Sequence, residues 1–133
     1  MKNLINILTE NRIGFLATIE NGMPRVRPFG FQFYENGKFF FITSNAKEVY
    51  RQLINMPYAE FSCISADWTI TRIKGKVNFS NNIQRKEKAL SNSPVAEKKY
   101  KTADNPELEL LYIHSGTAAF YDLSEKKPKV FSF

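Results

Sequence analysis

The tripeptide Glu-Asn-Gly occurs twice in this chain, at 20–22 and 35–37, and each copy separates two runs of strand-forming residues. An Asn-Gly pair suits a two-residue hairpin turn because both residues tolerate positive φ. The chain is therefore expected to reverse at both places. Ile13 to Ile19 precedes the first reversal, Arg25 to Tyr34 lies between the two, and Lys38 to Thr43 follows the second. Residues up to Thr43 read as a three-stranded antiparallel meander.

The pattern then changes period. Between Ala46 and Met56, Val49, Leu53 and Met56 recur at helical spacing among Lys47, Glu48, Arg51 and Gln52, which predicts a helix with one buried stripe. Ser44 or Asn45 is its expected N-cap, and Pro57 ends it. Tyr58 to Ser65 returns to strand character with Ala59, Phe61 and Cys63 on one face, and Trp68 to Ser80 forms the next strand. Gly75 in the middle of that strand marks a bulge or bend. Residues 82–101 are polar and Lys-rich, and read as one or two exposed helices broken near Pro94. Their expected anchors are Ile83, Ala89, Leu90, Val95, Ala96 and Tyr100. Leu110 to Leu123 is a long strand, and Val130 to Phe133 a short edge strand. Leu4, Ile5, Ile7 and Leu8 add a short amphipathic helix at the start. The order points to a mainly β fold, an antiparallel six-stranded barrel with a few peripheral helices.

A chain of 133 residues is normally one domain, here 1–133, and 43% hydrophobic residues with 24% charged argue for a packed core. No apolar run approaches the roughly 20 residues of a membrane helix. The first residues lack the pattern of a signal peptide. A soluble, cytoplasmic protein is expected. With one Cys and one His in the whole chain, neither an internal disulfide nor a four-ligand Cys/His metal site can be assembled. His114 sits in an apolar strand and Cys63 alternates with core residues, so both read as structural. No nucleophile elbow, P-loop or dinucleotide fingerprint is present. An enzyme on this chain would draw its reactivity from a cofactor.

The net charge of +6 favours a phosphate-bearing partner, but the basic residues are dispersed and form no nucleic-acid-binding tail. Two segments suit an anion. Arg25 and Arg27 stand at i and i+2 within Pro24-Arg25-Val26-Arg27-Pro28-Phe29-Gly30. Thr43-Ser44-Asn45-Ala46-Lys47 ends a strand in hydroxyls at the start of a helix, with Lys47 expected in its first turn. A Lys there opposes the helix dipole unless an anion offsets it. If the strands are neighbours, Arg25 or Arg27 and Lys47 can meet around one phosphate. Each segment alone is also compatible with exposed strand arginines and an ordinary capped helix. A nucleic-acid-binding barrel would instead need Phe29, Phe31, Phe33 and Tyr34 exposed for stacking. Alternation places the three Phe on one face, as a core stripe.

Gly14-Phe15-Leu16-Ala17-Thr18, then Gly22-x-Pro24-x-Val26-Arg27-Pro28 with Phe31 and Phe33, then Phe41-Ile42-Thr43-Ser44 and Lys47 with Leu53 and Asn55-x-Pro57, resemble the pyridoxamine 5′-phosphate oxidase-like family of FMN-binding split β-barrels. The pattern is closest to its small general-stress and nitroimidazole-resistance branches. The resemblance implies a homodimer with FMN at the subunit interface. Arg27, supported by Arg25, and Lys47 would hold the FMN phosphate, with Thr43 and Ser44 donating to it. The backbone from Arg27 through Pro28 and Phe29 to Gly30, adjoining Val26, and that at Ile42 would line the rest of the flavin. Trp68 is a candidate to stack on the ring from the second subunit. The chain has no C-terminal arginine-histidine motif of the kind that holds pyridoxal substrates in the oxidase, so pyridoxamine phosphate oxidation is not expected. The implied function is an FMN-dependent oxidoreductase that reduces a small molecule with electrons from a nicotinamide donor. The alternatives are a flavin- or heme-binding module without turnover and, ranked last, the nucleic-acid-binding barrel.

Overall fold

The computed structural model describes residues 1–124 and 127–133. The elements run α1 (Lys2–Glu10), β1 (Ile13–Glu20), β2 (Met23–Glu35), β3 (Lys38–Ser44), α2 (Glu48–Asn55), β4 (Tyr58–Ile64), β5 (Ile70–Ser80), α3 (Ile83–Ser91), α4 (Pro94–Tyr100), β6 (Leu108–Tyr121) and β7 (Lys129–Ser132). Both Glu-Asn-Gly segments form the expected reversals: φ is +52° and +75° at Asn21 and Gly22, and +49° and +74° at Asn36 and Gly37. The sheet order is β3-β2-β1-β4-β5-β6-β7, and a further pairing of β3 with β6 closes the first six strands into a barrel. All pairings are antiparallel. The closure is partial: β2 pairs with β3 only from Phe31 onward, so its first half, residues 23–30, has β1 on one side and no strand on the other among the described residues.

β6 can serve two neighbours along its length because it is 14 residues long. Its first half pairs with β3, and its second half carries β7 through Thr117–Phe120. The register between β5 and β6 shifts between Lys74 and Lys76, at the bulge that Gly75 announced. A side chain at Gly116 could not fit there: a Cβ would lie 1.9 Å from the Lys74 carbonyl oxygen.

The interior is built on phenylalanine. Phe41 contacts Phe29, Phe31 and Phe61 with ring centroids 5.8, 5.9 and 5.0 Å apart. Phe31, Phe39, Phe41 and Phe61 are fully buried together with Leu4 and Leu8 of α1. Each such side chain contributes roughly 1.5–3 kcal/mol by leaving water.

The stripe expected of Phe29, Phe31 and Phe33 breaks at one point. β2 bulges between Phe31 and Phe33, so Phe31 pairs with Phe41 while Phe33 pairs with Phe40. One extra residue reverses which face a side chain takes. Phe33 therefore stacks on Phe40, centroids 4.5 Å apart, outside the barrel and against Ala89 of α3. All three rings are at least partly buried rather than displayed for stacking.

Other expectations shift locally. α2 begins at Glu48 with Lys47 as its N-cap and no side-chain cap, so neither Ser44 nor Asn45 caps it. Ser44 Oγ accepts from Ala46 N–H in a local turn. Gln52, not Met56, completes the buried side of α2 with Val49 and Leu53. Strand β5 starts at Ile70, so Trp68 lies in the preceding turn. In 82–101, Pro94 opens α4 at its first turn rather than merely breaking a helix. Ala89, Leu90, Ala96 and Tyr100 are buried as expected, whereas Ile83 and Val95 are exposed.

Candidate cofactor site

α2 lies across one end of the barrel, packed on β1 and β3, and the expected phosphate-binding residues gather around it. Arg25 and Arg27 pair in register with Thr18 and Leu16 and so share the inward face of β2. Arg27 Nη1 donates to the Leu16 carbonyl at 3.0 Å and Nη2 to Gln52 Oε1 at 2.6 Å. Thr18 Oγ1 donates to the same Gln52 oxygen, also at 2.6 Å. Two donors on one amide oxygen fix the Arg27 head under α2. Burial lowers the Arg27 pKa from its ordinary value, and the Glu48 charge opposes that shift.

Arg25 is held differently. It lies 3.7 Å from Glu20, which also pairs with Arg51 at 2.6 Å. The hydrogen bond from Arg51 is the main reason that the Glu20 carboxyl titrates below its usual range.

Lys47, at the head of α2, has another basic neighbour. Partial loss of hydration, followed by the nearby positive charge of Lys99 on α4, lowers the Lys47 pKa although the residue as a whole is exposed. The structure thus places Arg27 beneath α2 and Lys47 at its start, but records no contact between them. The neighbouring charge that acts on Lys47 is that of Lys99, which the sequence did not single out.

Two buried donors around these cations lack an acceptor. Thr43 Oγ1, at the end of β3, and Gln52 Nε2, beside Arg27, are both enclosed and unpaired. Such orphans are rare in folded proteins and point to a missing partner. Hydroxyl, amide and cations of this kind fit a phosphate. The remaining expected residues are divided: Ile42 and Ser44 face the α4 side, while Val26, Pro28 and Gly30 lie on the opposite face of β2 from Arg27.

That opposite face is apolar and uncovered. Registered side chains of β2, β1 and β4 bring together Val26, Ile13, Phe15, Ile19, Tyr58 and Ile64, exposed by 67, 75, 57, 40, 51 and 49%. A groove of about 540 Å³ opens on it, lined by Ala17, Ile19, Pro24, Tyr58, Glu60, Lys74, Lys76 and Thr117 among others. None of Arg25, Arg27 and Lys47 lines this groove, although Thr18, which shares Gln52 with Arg27, does. Trp68 stands at the rim of this face in the 65–69 turn, 61% exposed and with φ +65°. Positive φ is costly for so bulky a residue. Asp67 Oδ1 holds the turn by accepting from Thr69 N–H at 3.2 Å and from Ser65 Oγ.

His114 is half-buried, its Nδ1 2.9 Å from Ser115 Oγ and its enclosed Nε2 without a hydrogen-bond partner. Burial raises the Cys63 thiol to about 11. At pH 8 roughly one thiol in a thousand would be ionised. We expect the native protein to resist iodoacetamide at pH 8 and the unfolded chain to react promptly; equal rates would refute the burial argument.

The sequence model for pyridoxamine 5′-phosphate oxidase matches residues 2–121. The chain belongs to the pyridoxamine 5′-phosphate oxidase family. Among solved structures of similar fold is a NimC/NimA family protein of Clostridium acetobutylicum, 30% identical, covering 100% of this chain and 92% of that one with a TM-score of 0.87. A pyridoxamine 5′-phosphate oxidase-related, FMN-binding protein of Nostoc punctiforme is 16% identical over 97% of this chain and 85% of its own, with a TM-score of 0.71. A heme-binding protein of Mycobacterium smegmatis shares 16% identity over 97% of this chain but only 56% of its own, with a TM-score of 0.77. The latter two likenesses concern the fold alone. Comparison with curated proteins returns no match. Within the described residues no helix is long and apolar enough to cross a membrane.

Proposed function

We propose that this member of the pyridoxamine 5′-phosphate oxidase family binds FMN as a homodimer and acts as an oxidoreductase on a small molecule, with a nicotinamide donor. The observation that carries the reading is the pairing of cations and unsatisfied donors around α2 with an uncovered apolar face bearing a groove. The cations suit a phosphate, and the apolar face, on the other side of β2, suits a partner copy that would complete the rest of the site. Arg27 and Lys47 hold the phosphate, with Arg25 in support and Thr43 and Ser44 as hydroxyl partners. A second copy covers the apolar face and brings its own Trp68 toward the ring. FMN supplies hydride transfer, which the chain's own residues do not offer. What the protein contributes is binding, orientation and exclusion of water. Arg27 is pre-oriented by Gln52, so little side-chain freedom is lost on binding.

The heme alternative predicts a different spectrum. The purified protein, incubated with each cofactor and desalted, should retain FMN with absorption near 450 nm and release it on denaturation. Retention of heme but not FMN would replace this reading, and retention of neither would end it.

A further inference from the structure

Residues 82–101 carry six of the chain's 19 Lys and Arg residues, and the structure gives the three on α3 a task. Arg85 pairs with Glu35 at 2.6 Å, Lys86 donates to the Leu108 carbonyl, and Lys88 lies over the Phe33 ring. Lys99 differs. Its ammonium lies 5.1 Å from the ring of its own neighbour Tyr100, and its positive charge is felt at Lys47. Among the described residues neither Lys47 nor Lys99 has a carboxylate within ion-pair distance.

This proximity is built into the fold. Tyr100 is buried in a cluster with Leu90, Ala96, Ala103 and Leu108, against which Ile42 of β3 packs. Asn105 Nδ2 donates to the Tyr100 carbonyl at 3.0 Å and ties the end of α4 to the approach of β6. On the other side, Asn45 N–H donates to the Glu107 carbonyl and Asn45 Nδ2 to that of Pro106, at 3.0 and 2.7 Å. The end of α4 and the loop that carries Lys47 are thus fastened to one short segment, 105–107. Two flexible lysines on a surface normally spread apart to reduce repulsion. Here the loop before α2 and the end of α4 are anchored to the same segment, and a doubly charged oxyanion between the two lysines would turn repulsion into two charge-assisted hydrogen bonds.

We infer that Lys99 of α4 joins Lys47 in gripping the terminal phosphate of the flavin, so that the α3–α4 hairpin is a phosphate-recognition element rather than packing alone. The inference rests on the FMN reading above. A phosphate monoester carries close to two negative charges at neutral pH, which matches a pair of lysines better than one.

Riboflavin, which lacks the phosphate, separates the inference from the reading it rests on. Dissociation constants for FMN and riboflavin are measured by flavin fluorescence with the wild-type protein, Lys99→Ala, Lys99→Arg and Lys98→Ala. Lys99→Ala should weaken FMN about tenfold and leave riboflavin unchanged, so the preference for FMN shrinks. Lys99→Arg should keep most of that preference, and the adjacent control Lys98→Ala all of it. Undiminished preference for FMN in Lys99→Ala overturns the inference while the FMN reading stands. Equal losses for both flavins mean a structural role for Lys99 and also overturn it. A wild-type protein that binds neither flavin refutes the FMN reading, and this inference with it.

Discussion

Replacing Arg27 and Lys47 together by alanine is expected to weaken FMN binding by roughly a hundredfold to ten-thousandfold, with the fold retained. A hydrogen bond to a charged group contributes about 1.5–3 kcal/mol, and two such contacts to one phosphate multiply their effects on affinity. Lys47 is exposed, so its loss costs the folded chain little. Arg27 is the more embedded of the two, bonded to Leu16 and Gln52. Its removal nevertheless leaves Gln52 Oε1 the Thr18 hydroxyl and leaves the Leu16 carbonyl open to water. A drop of a few degrees in Tm is expected for a domain of this size, not unfolding. Equilibrium binding by fluorescence, with circular dichroism as the check on folding, reads both quantities. A folded double variant that binds FMN like wild type would place the phosphate elsewhere. The single variants divide the effect further: Arg27→Ala removes a pre-oriented fork, and Lys47→Ala also relieves the repulsion on Lys99, so its net effect is the smaller.

The strands were legible because their signals are local. Asn21-Gly22 and Asn36-Gly37 specify their own reversals, and the alternation of Ala59, Phe61 and Cys63 needs only the pleat of one strand to be read. The bulge at Gln32 was not legible. No glycine or proline marks it, and it arises where β2 leaves β1 and turns to pair with β3 around the closing barrel. That unmarked residue sent Phe33 to the outer face.

Legibility at the site follows the same division. Arg27, Thr43 and Lys47 were visible because basic and hydroxyl residues stood together in short segments. Gln52 passed as one polar position of an amphipathic helix, and only its burial with Thr18 and Arg27 shows that it orients the guanidinium. Lys99 lies 52 positions beyond Lys47 in a stretch rich in lysine, and nothing in its immediate neighbours distinguishes it from Lys98. Its distinction is tertiary, made by Tyr100, Asn105 and Asn45. The apolar outer face was hidden for a different reason. In a barrel strand, alternation tells inside from outside only where the outside is polar, and the outward residues of β1, Ile13, Phe15, Ala17 and Ile19, are all apolar while Thr18 and Glu20 lie on the other face.

Placing glutamate at both Phe15 and Val26 should convert the protein to a monomer and abolish flavin retention in the same step. Both side chains are more than half exposed in the single chain, on adjacent strands of the uncovered face, so the barrel itself loses little packing. Uncovered apolar patches of this kind mark interaction surfaces. The magnitudes favour a sharp effect. The six large side chains on the face are already about half out of solvent, so covering each adds roughly 1 kcal/mol, or about 6 kcal/mol per protomer. Association costs an estimated 4–15 kcal/mol, so a stable dimer needs most of that patch on both copies. Two glutamates remove two apolar contacts per protomer, and twofold symmetry places four carboxylates in one interface without partners. Uncompensated buried charge costs about 3–5 kcal/mol each time a partner is missing. Sedimentation at micromolar concentration, run with and without FMN, reads both the mass and the bound flavin. A variant that remains dimeric would assign the interface to another surface. A monomer that still holds FMN would show that the site is complete in one chain, and the groove near Tyr58 and Lys74 would then need another occupant.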